Sequence, residues 1–193
     1  MRELKGHLKV LVSIWAAAIA VFHLYTAVFG IMQPRIQRGI HILFLLPLAF
    51  LLYPATKKSP TDRPSMPDFF LAFLATLPSL YVIVMNEPLN MRMPMVSPMT
   101  TLELWLGIVN ILLLIEAIRR VVVPAMAVLV LVFFAYIFIA PYLPGIFYSR
   151  RVSLARIVEM NYLITDSGIY GAITGVTATF VAIFVIFGSF MQY

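Results

Sequence analysis

Long apolar runs dominate the chain, and short polar segments separate them. A helix needs about 20 apolar residues to cross the roughly 30 Å hydrocarbon core of a bilayer. Six runs approach or reach this length: residues 10–33, 39–53, 69–85, 101–118, 121–141 and 168–191. Because lipid offers no hydrogen-bond partner to the backbone, these runs are predicted to be helices. A β-barrel would instead show alternating strands of about ten residues.

The connections between the runs carry their own signals. Residues 54–67 and 86–100 contain several prolines, which block helix continuation, so both segments are predicted to be loops. In the next connection Ser153 is a candidate helix cap, followed by apolar residues that share one helical face: Leu154, Ile157, Val158 and Tyr162. A short interfacial helix near residues 153–164 is therefore predicted, with an irregular loop as the alternative.

Composition supports an all-α integral membrane protein in contact with the lipid bilayer. The chain is 62% hydrophobic and 11% charged, against about 45–50% and about 25% in soluble domains. This balance argues against a soluble enzyme and against disorder. The absence of cysteine excludes disulfides, thiolate catalysis and cysteine zinc sites. The basic residues stand singly or in pairs beside apolar runs, which is typical of membrane flanks and predicts no nucleic-acid partner.

The distribution of lysine and arginine predicts the orientation. Eight basic residues fall on the side of the N-terminus: Arg2, Lys5, Lys9, Lys57, Lys58, Arg63, Arg119 and Arg120. Six fall on the other side: Arg35, Arg38, Arg92, Arg150, Arg151 and Arg156. Since positive residues favour the cytoplasmic side, the excess predicts a cytoplasmic N-terminus and, with six spans, a cytoplasmic C-terminus.

Polar residues within the fourth run are candidate functional groups. Glu103 and Asn110 are two helical turns apart and share a stripe with Gly107 and Ala117. Interhelical hydrogen bonding is the favoured interpretation, with an ion or substrate contact as the alternative. Glu103, near the end of its run, is expected to reach interfacial water.

The end of the fourth run predicts an ion pair. Glu116 precedes Arg119 and Arg120 by three and four residues, so its carboxylate can pair with one guanidinium at the cytoplasmic edge. The arginines are expected to extend toward lipid phosphate rather than to take part in catalysis.

The histidines give weaker signals. His23, in the middle of the first run, is a packing residue or, as the less favoured alternative, a proton relay. Arg38 and His41 lie one turn apart and are candidates to bind a headgroup or a neighbouring helix end. The sequence contains no zinc-protease, catalytic-triad, phosphate-loop or dinucleotide motif, so neither an enzyme nor a cofactor is expected.

Small residues open the last run. Gly171 and Gly175 form a G-x-x-x-G match, which Gly168 precedes and Thr179 extends, and this small-residue surface predicts a close helix–helix contact. The run reaches the end of the chain without a charged flank, which is what we expect of a chain that continues.

Four segments carry a family resemblance: residues 143–145 (LPG), 164–171 (ITDSGIYG), 175–181 (GVTATFV) and 184–190 (FVIFGSF). They resemble the fused permeases of TRAP transporters, of the four-plus-twelve-helix type that works with TAXI-type solute-binding proteins. Three upstream pieces resemble the small Q-type region of that family: Arg38-x-x-His41, Tyr53-Pro54 and Glu116-Ala117-x-Arg119-Arg120. The chain departs from the family at Asp166-Ser167-Gly168, commonly Glu-Gly, and at Thr177, commonly Ser.

The resemblance implies a sodium-driven importer of organic acids in a prokaryotic cytoplasmic (inner) membrane, supplied by a TAXI-type solute-binding protein. Residues 1–120 would be a four-helix Q-type scaffold region, 121–167 a connecting helix and interfacial segment, and 168–193 the first helix of an M-type transport region. Substrate and sodium sites would lie in that M-type region, outside this chain, so no substrate-binding residue can be named.

Two alternatives remain open at this stage. A self-standing six-helix channel or carrier would need a polar path, for which only His23, Asn110 and Glu103 are available. A membrane-embedded lipid enzyme, the less favoured of the two, would need a catalytic cluster of Asp, Glu or His residues.

Overall fold

The computed structural model describes residues 2–56 and 59–192, and these are predominantly helical, with no β-strand among them. Six of the helices are long and apolar enough to cross a membrane: Gly6–Phe29, Pro34–Leu52, Met66–Val84, Thr101–Val121, Pro124–Tyr142 and Ala172–Phe190. The chain is therefore an all-α, multi-pass membrane protein, as the apolar runs predicted.

The helices are numbered in chain order. They are α1 (Gly6–Phe29), α2 (Pro34–Leu52), α3 (Met66–Val84), α4 (Asn86–Asn90), α5 (Thr101–Val121), α6 (Pro124–Ile139), α7 (Leu154–Val158), α8 (Ala172–Val176) and α9 (Ala182–Phe190). A π-helical turn at Glu159–Leu163 extends α7, and a second one at Thr177–Val181 joins α8 to α9. Shorter 3-10 turns occupy Ala140–Tyr142, Gly145–Phe147 and Gly168–Tyr170.

Local chemistry explains where the helices begin. Capping boxes start α3 and α5, where Ser65 pairs with Asp68 and Thr100 pairs with Glu103. Each box satisfies backbone N–H groups that have no partner within the helix. Helices α2 and α6 begin at proline, whose missing N–H costs nothing in the first turn. Gly30, at a φ of 105°, ends α1.

The core lies among α2, α3, α5 and the segment formed by α7 and its π-helical turn. Helix α1 packs on α2 through a smaller apolar cluster of Leu4, Val12 and Leu48. The last two spans are peripheral, since only 11% of the fifth and 6% of the sixth is buried. Most of their apolar surface is therefore free to face lipid or another membrane protein.

The helices alternate in direction between two edges of the bundle. The edge where α1 and α3 begin and α2 and α5 end is called the first edge; there the Arg2 backbone N–H donates to the Leu52 carbonyl at 2.7 Å. The opposite edge is called the second edge. Helix α6 crosses to the second edge, and the Ala172–Phe190 span returns to the first. Both ends of the described chain thus lie on one side, as an even number of spans predicted.

Two differences from the predicted boundaries have simple causes. Helix α2 begins five residues before the apolar run that starts at residue 39, because its polar first turns are buried in the bundle. Helix α4 lies inside the predicted loop 86–100. Its Pro88 stands in the first turn, where a backbone donor is not needed.

The helix predicted near residues 153–164 is present. Ser153 caps it, with the Ser153 hydroxyl accepting from the Arg156 backbone N–H. Its apolar face, including Val158 and Tyr162, is buried in the bundle rather than resting on the membrane interface. Gly107 of α5 permits this approach, because a Cβ at that position would lie 2.3 Å from a Val158 methyl carbon.

The glycine-rich start of the last run differs most from expectation. The α-helix begins at Ala172, so Gly168 and Gly171 precede it, and the prediction of a helix from residue 168 was wrong there. Gly168 adopts a φ of +62°, and its Cβ position is closed by the backbone of Asn161. Gly168 therefore lies in a sharp turn that packs against the segment after α7, and it is not part of the last α-helix.

Candidate functional site

A buried charge cluster at the first edge is centred on Asp68. Its Oδ2 accepts from Arg2 Nη2 at 2.6 Å and from the Ser65 backbone N–H at 2.9 Å, and its Oδ1 accepts from Arg120 Nη1 at 2.6 Å. The Arg2 and Asp68 side chains are 0% exposed and that of Arg120 is 2% exposed. One carboxylate thereby joins the N-terminal segment, α3 and α5.

Arg2 makes three more hydrogen bonds in the same place. Its Nη1 donates to the carbonyls of Phe50 at 3.2 Å and Leu51 at 3.1 Å, and its Nε donates to the Pro60 carbonyl at 3.1 Å. These contacts satisfy carbonyl groups near the end of α2 and fix the first residues of the chain to the bundle. No local spacing in the sequence relates Asp68 to Arg2, which lies 66 positions earlier in the chain.

The predicted ion pair of Glu116 is confirmed, and it includes both arginines. Arg119 donates from Nε and Nη2 to the two carboxylate oxygens at 2.7 Å, and Arg120 donates from Nε at 2.7 Å. Arg119 is 42% exposed, as expected for a membrane flank. The same expectation was wrong for Arg120, because Asp68 and the ring of Phe50, 5.1 Å from the guanidinium, hold it inside the bundle.

Glu103 is the main acceptor at the second edge. It accepts from Arg92 Nη1 at 2.7 Å, the Tyr81 hydroxyl at 3.1 Å and the Thr100 backbone N–H at 2.7 Å. The contact with Tyr81 of α3 agrees with the favoured interpretation of interhelical hydrogen bonding. Glu103 is only 4% exposed, so the expectation of contact with interfacial water was wrong: three donors take the place of water.

Arg38 binds the turn that precedes the last span. Its Nη1 donates to the Tyr170 carbonyl at 2.8 Å and also to the Thr165 carbonyl. This is the neighbouring helix end that was one of its two predicted partners. Gly175 lies against the same guanidinium, since a Cβ there would lie 2.9 Å from Arg38 Nε.

Of the three glycines, only Gly175 lies within the last span and contacts another helix, as predicted. The Cβ position of Gly171 is closed by its own preceding turn, at 2.9 Å from the Gly168 carbonyl oxygen. Thr179 turns its hydroxyl back to the Gly175 carbonyl at 2.8 Å. The G-x-x-x-G pattern therefore serves a turn and one close contact rather than a continuous helix–helix surface.

A buried hydrogen-bonded group links α3, α5 and the last turn before α8. The Tyr170 hydroxyl lies 3.0 Å from Ser79 Oγ and accepts from Asn110 Nδ2 at 3.3 Å. Close by, the Tyr162 hydroxyl donates to the Pro78 carbonyl at 2.9 Å. Burial raises the pKa of both phenols, so they stay neutral. Asn110 thus makes the interhelical contact that its stripe predicted.

Two histidines meet between α1 and α2. His23 Nε2 and His41 Nδ1 are 3.1 Å apart, and both side chains are buried. His41 therefore has a side-chain partner in α1, which no spacing in the sequence predicts. Gln37 lies nearby and donates to Thr26 Oγ1 at 3.2 Å and to the Ala178 carbonyl, within the π-helical turn, at 3.3 Å.

An apolar groove runs beside these polar groups. It encloses about 440 Å³ between α2, α5 and α8, and His41, Thr174 and Thr177 supply its polar lining. Within residues 2–56 and 59–192, no three His, Asp or Glu side chains are grouped as ligands for a metal ion. The buried charged side chains described above instead contact neighbouring elements and hold the helices together.

Comparison with protein-family models, with curated proteins and with solved structures finds no match for this chain. The proposal of a function therefore rests on the sequence and on the contacts described above.

Proposed function

We propose that this chain is a scaffold region of a TRAP-type secondary transporter, which imports organic acids with sodium and receives them from a TAXI-type solute-binding protein. The observation that carries the proposal is how the bundle uses its buried charges. Asp68 and Glu103 each bind guanidinium groups from other parts of the chain, and each also accepts from the backbone N–H that caps its own helix. Each carboxylate therefore acts as a brace, by which we mean a buried charge that holds parts of the bundle together.

Buried polar contacts of this kind lie at both edges of the bundle, where they make it rigid. Asp68 fixes α3 to α5 and to the chain start at the first edge, while Arg38 fixes α2 to the Thr165–Tyr170 segment at the second. Breaking a buried ion pair costs about 3–5 kcal/mol. A unit tied at both edges resists the rearrangements that alternating access requires of a transport domain.

The peripheral spans supply the surface that a scaffold offers to its partner. Large apolar side chains on them are exposed, including Phe133 at 62% and Phe184 at 74%. In the membrane this surface packs against lipid and, in the proposed transporter, against further helices of the M-type transport region, of which the last span would be the first helix. The binding of organic acids and sodium would belong to that region.

A self-standing carrier is the second candidate, and one feature favours it. The π-helical turn Thr177–Val181 interrupts the last span beside Gln37 and the His23–His41 pair. Single π-helical turns are frequent at functional sites, because they free backbone groups from the regular hydrogen-bond pattern. In a carrier this place would be the transport site.

Transport assays separate the two candidates. Residues 1–193 in liposomes, given a sodium gradient and labelled organic acids, should show no uptake if they are a scaffold. Sodium-dependent accumulation by this chain alone would overturn the scaffold proposal and support the carrier. The protein that contains these residues, tagged and purified from its native membrane, should carry a polytopic transport region, either in the same polypeptide or as a bound subunit; purification without such a region would also count against the scaffold.

A further inference from the structure

A small cavity at the second edge combines charges of both signs. It encloses about 250 Å³ between the connection after α3, the start of α2 and the segment after α7. Its charged lining consists of Arg35, Arg92, Glu159 and Asp166, and Leu89 and Leu163 contribute apolar surface. None of the braces described above is centred on this cavity.

Arg35 is buried here and forms no ion pair with any residue that the structure describes. It is 5% exposed, and its Nη2 donates to Thr165 Oγ1 at 2.5 Å and to the Leu89 carbonyl at 3.4 Å. Its Nε and Nη1 are buried and have no acceptor among the residues that the structure describes. None of the carboxylates in this part of the chain pairs with it. A buried guanidinium in this state lacks the compensation that its charge requires.

The other charges of the cavity do not supply that compensation. Arg92 is paired with Glu103 at 2.7 Å. Glu159 is 8% exposed, and its Oε1 accepts from the Met95 backbone N–H at 2.9 Å. Asp166 is exposed at the rim, from where it attracts Arg35 without forming an ion pair, so solvent screens much of its charge. The cavity therefore presents one unpaired cation and two carboxylates that form no ion pair.

We propose that this cavity binds a compact zwitterion, in which a carboxylate or phosphate and a primary ammonium group are a few bonds apart. The oxyanion accepts from Arg35, a charge-assisted contact of the strong kind. The ammonium group donates to Asp166 and Glu159. A simple anion would meet two carboxylates and a simple cation would meet Arg35, so only a ligand with both charges matches the lining.

The size of the cavity limits the ligand. Pockets for drug-sized ligands measure about 300–1,000 Å³, so about 250 Å³ suits an amino acid or a single headgroup. Arg35 Nε and Nη1 are covered by neighbouring atoms, and the guanidinium must turn about its terminal bonds to reach the oxyanion. Two sources offer this chemistry: a soluble amino-acid-like solute and the ethanolamine headgroup of a phospholipid.

Binding of a soluble probe is the first test. The full chain, in nanodiscs of phosphatidylcholine, is titrated with labelled ethanolamine phosphate and, separately, choline phosphate, whose quaternary ammonium has no N–H donor. We expect saturable binding of the first and at least about tenfold weaker binding of the second. Asp166→Asn and Arg35→Gln should each weaken binding at least about tenfold, whereas Asp62→Asn, at the first edge, should not.

The lipid source is tested by native mass spectrometry of protein purified from membranes that contain both phospholipids. Preferential retention of phosphatidylethanolamine, lost in Asp166→Asn, identifies the headgroup as the ligand; binding of the soluble probe without that preference identifies a solute. Asp166 is exposed, so its variant remains informative should Arg35→Gln fail to fold. The proposal is overturned if the protein neither binds ethanolamine phosphate nor preferentially retains phosphatidylethanolamine. It is also overturned if Asp166→Asn leaves the observed binding or retention unchanged.

Discussion

Arg2 Nη2 and Asp68 Oδ2 lie 2.6 Å apart, and neither side chain is exposed. The pair joins the start of the chain to α3, and Arg120 of α5 reaches the other carboxylate oxygen at 2.6 Å. Because burying an unpaired charge is costly, each of these side chains depends on the other two. The first edge therefore behaves as a single structural unit that involves three separate parts of the chain.

Replacing Asp68 should damage this unit severely. Asp68→Asn leaves the buried guanidinium of Arg2 without a carboxylate and leaves Arg120 with Glu116 as its only one, and we expect the free energy of unfolding to fall by about 3–5 kcal/mol. Thermal and denaturant unfolding in one detergent measure the change. Asp62→Asn is the matched control, since Asp62 is exposed at the same edge and should alter stability by no more than about 0.5 kcal/mol. Equal stability of the two variants would contradict the assigned role.

The neighbouring arginines should differ sharply although both pair with Glu116. Arg119→Gln removes a partly exposed ion pair and should cost about 0–1 kcal/mol. Arg120→Gln removes a buried partner of Asp68 as well, so its loss of stability should be several times larger. The same unfolding measurement compares the two. Similar losses for both variants would show that burial does not set the strength of these pairs.

Features governed by local spacing could be predicted from the sequence. The length of each apolar run identified the six spans, and the separation of three and four residues identified the Glu116 ion pairs. The stripe that holds Glu103 and Asn110 was recognised because helical periodicity places them on one face. In each case the residues concerned are close together in the chain.

Contacts between distant parts of the chain left no such signal. The Arg2–Asp68 pair spans 66 residues, and His23 and His41 belong to different helices. Arg35 and Arg38 looked like flanking charges, which shortened the predicted second run, yet α2 begins before them. The π-helical turn Thr177–Val181 also escaped prediction, because a single inserted residue barely changes the apolar pattern of a span.

The orientation predicted from the basic residues can be measured directly, since the chain contains no cysteine. Asp62→Cys places a thiol at the first edge and Ser149→Cys places one at the second, and both positions are exposed. With a cytoplasmic first edge, a membrane-impermeant maleimide should label intact cells only at position 149. Position 62 should react after permeabilisation. The reverse labelling pattern would show that the excess of eight over six basic residues does not set the topology.

A contact between Gly175 and Arg38 should make one glycine of the last span sensitive to substitution and leave another tolerant. A side chain at position 175 would meet Arg38 Nε at 2.9 Å, whereas nothing lies within 4 Å of a Cβ at Gly188. Arg38 cannot easily move away, because its Nη1 holds the Tyr170 carbonyl at 2.8 Å.

Gly175→Leu should therefore push α8 from α2 and lower stability by about 1–3 kcal/mol, the usual cost of overpacking. Gly188→Leu should be neutral or stabilising by up to about 1 kcal/mol, since both substitutions gain helix propensity. The difference between the two variants in thermal unfolding isolates the contact from the propensity. If they unfold at the same temperature, the close approach of Gly175 to Arg38 contributes nothing to the assembly of the last span.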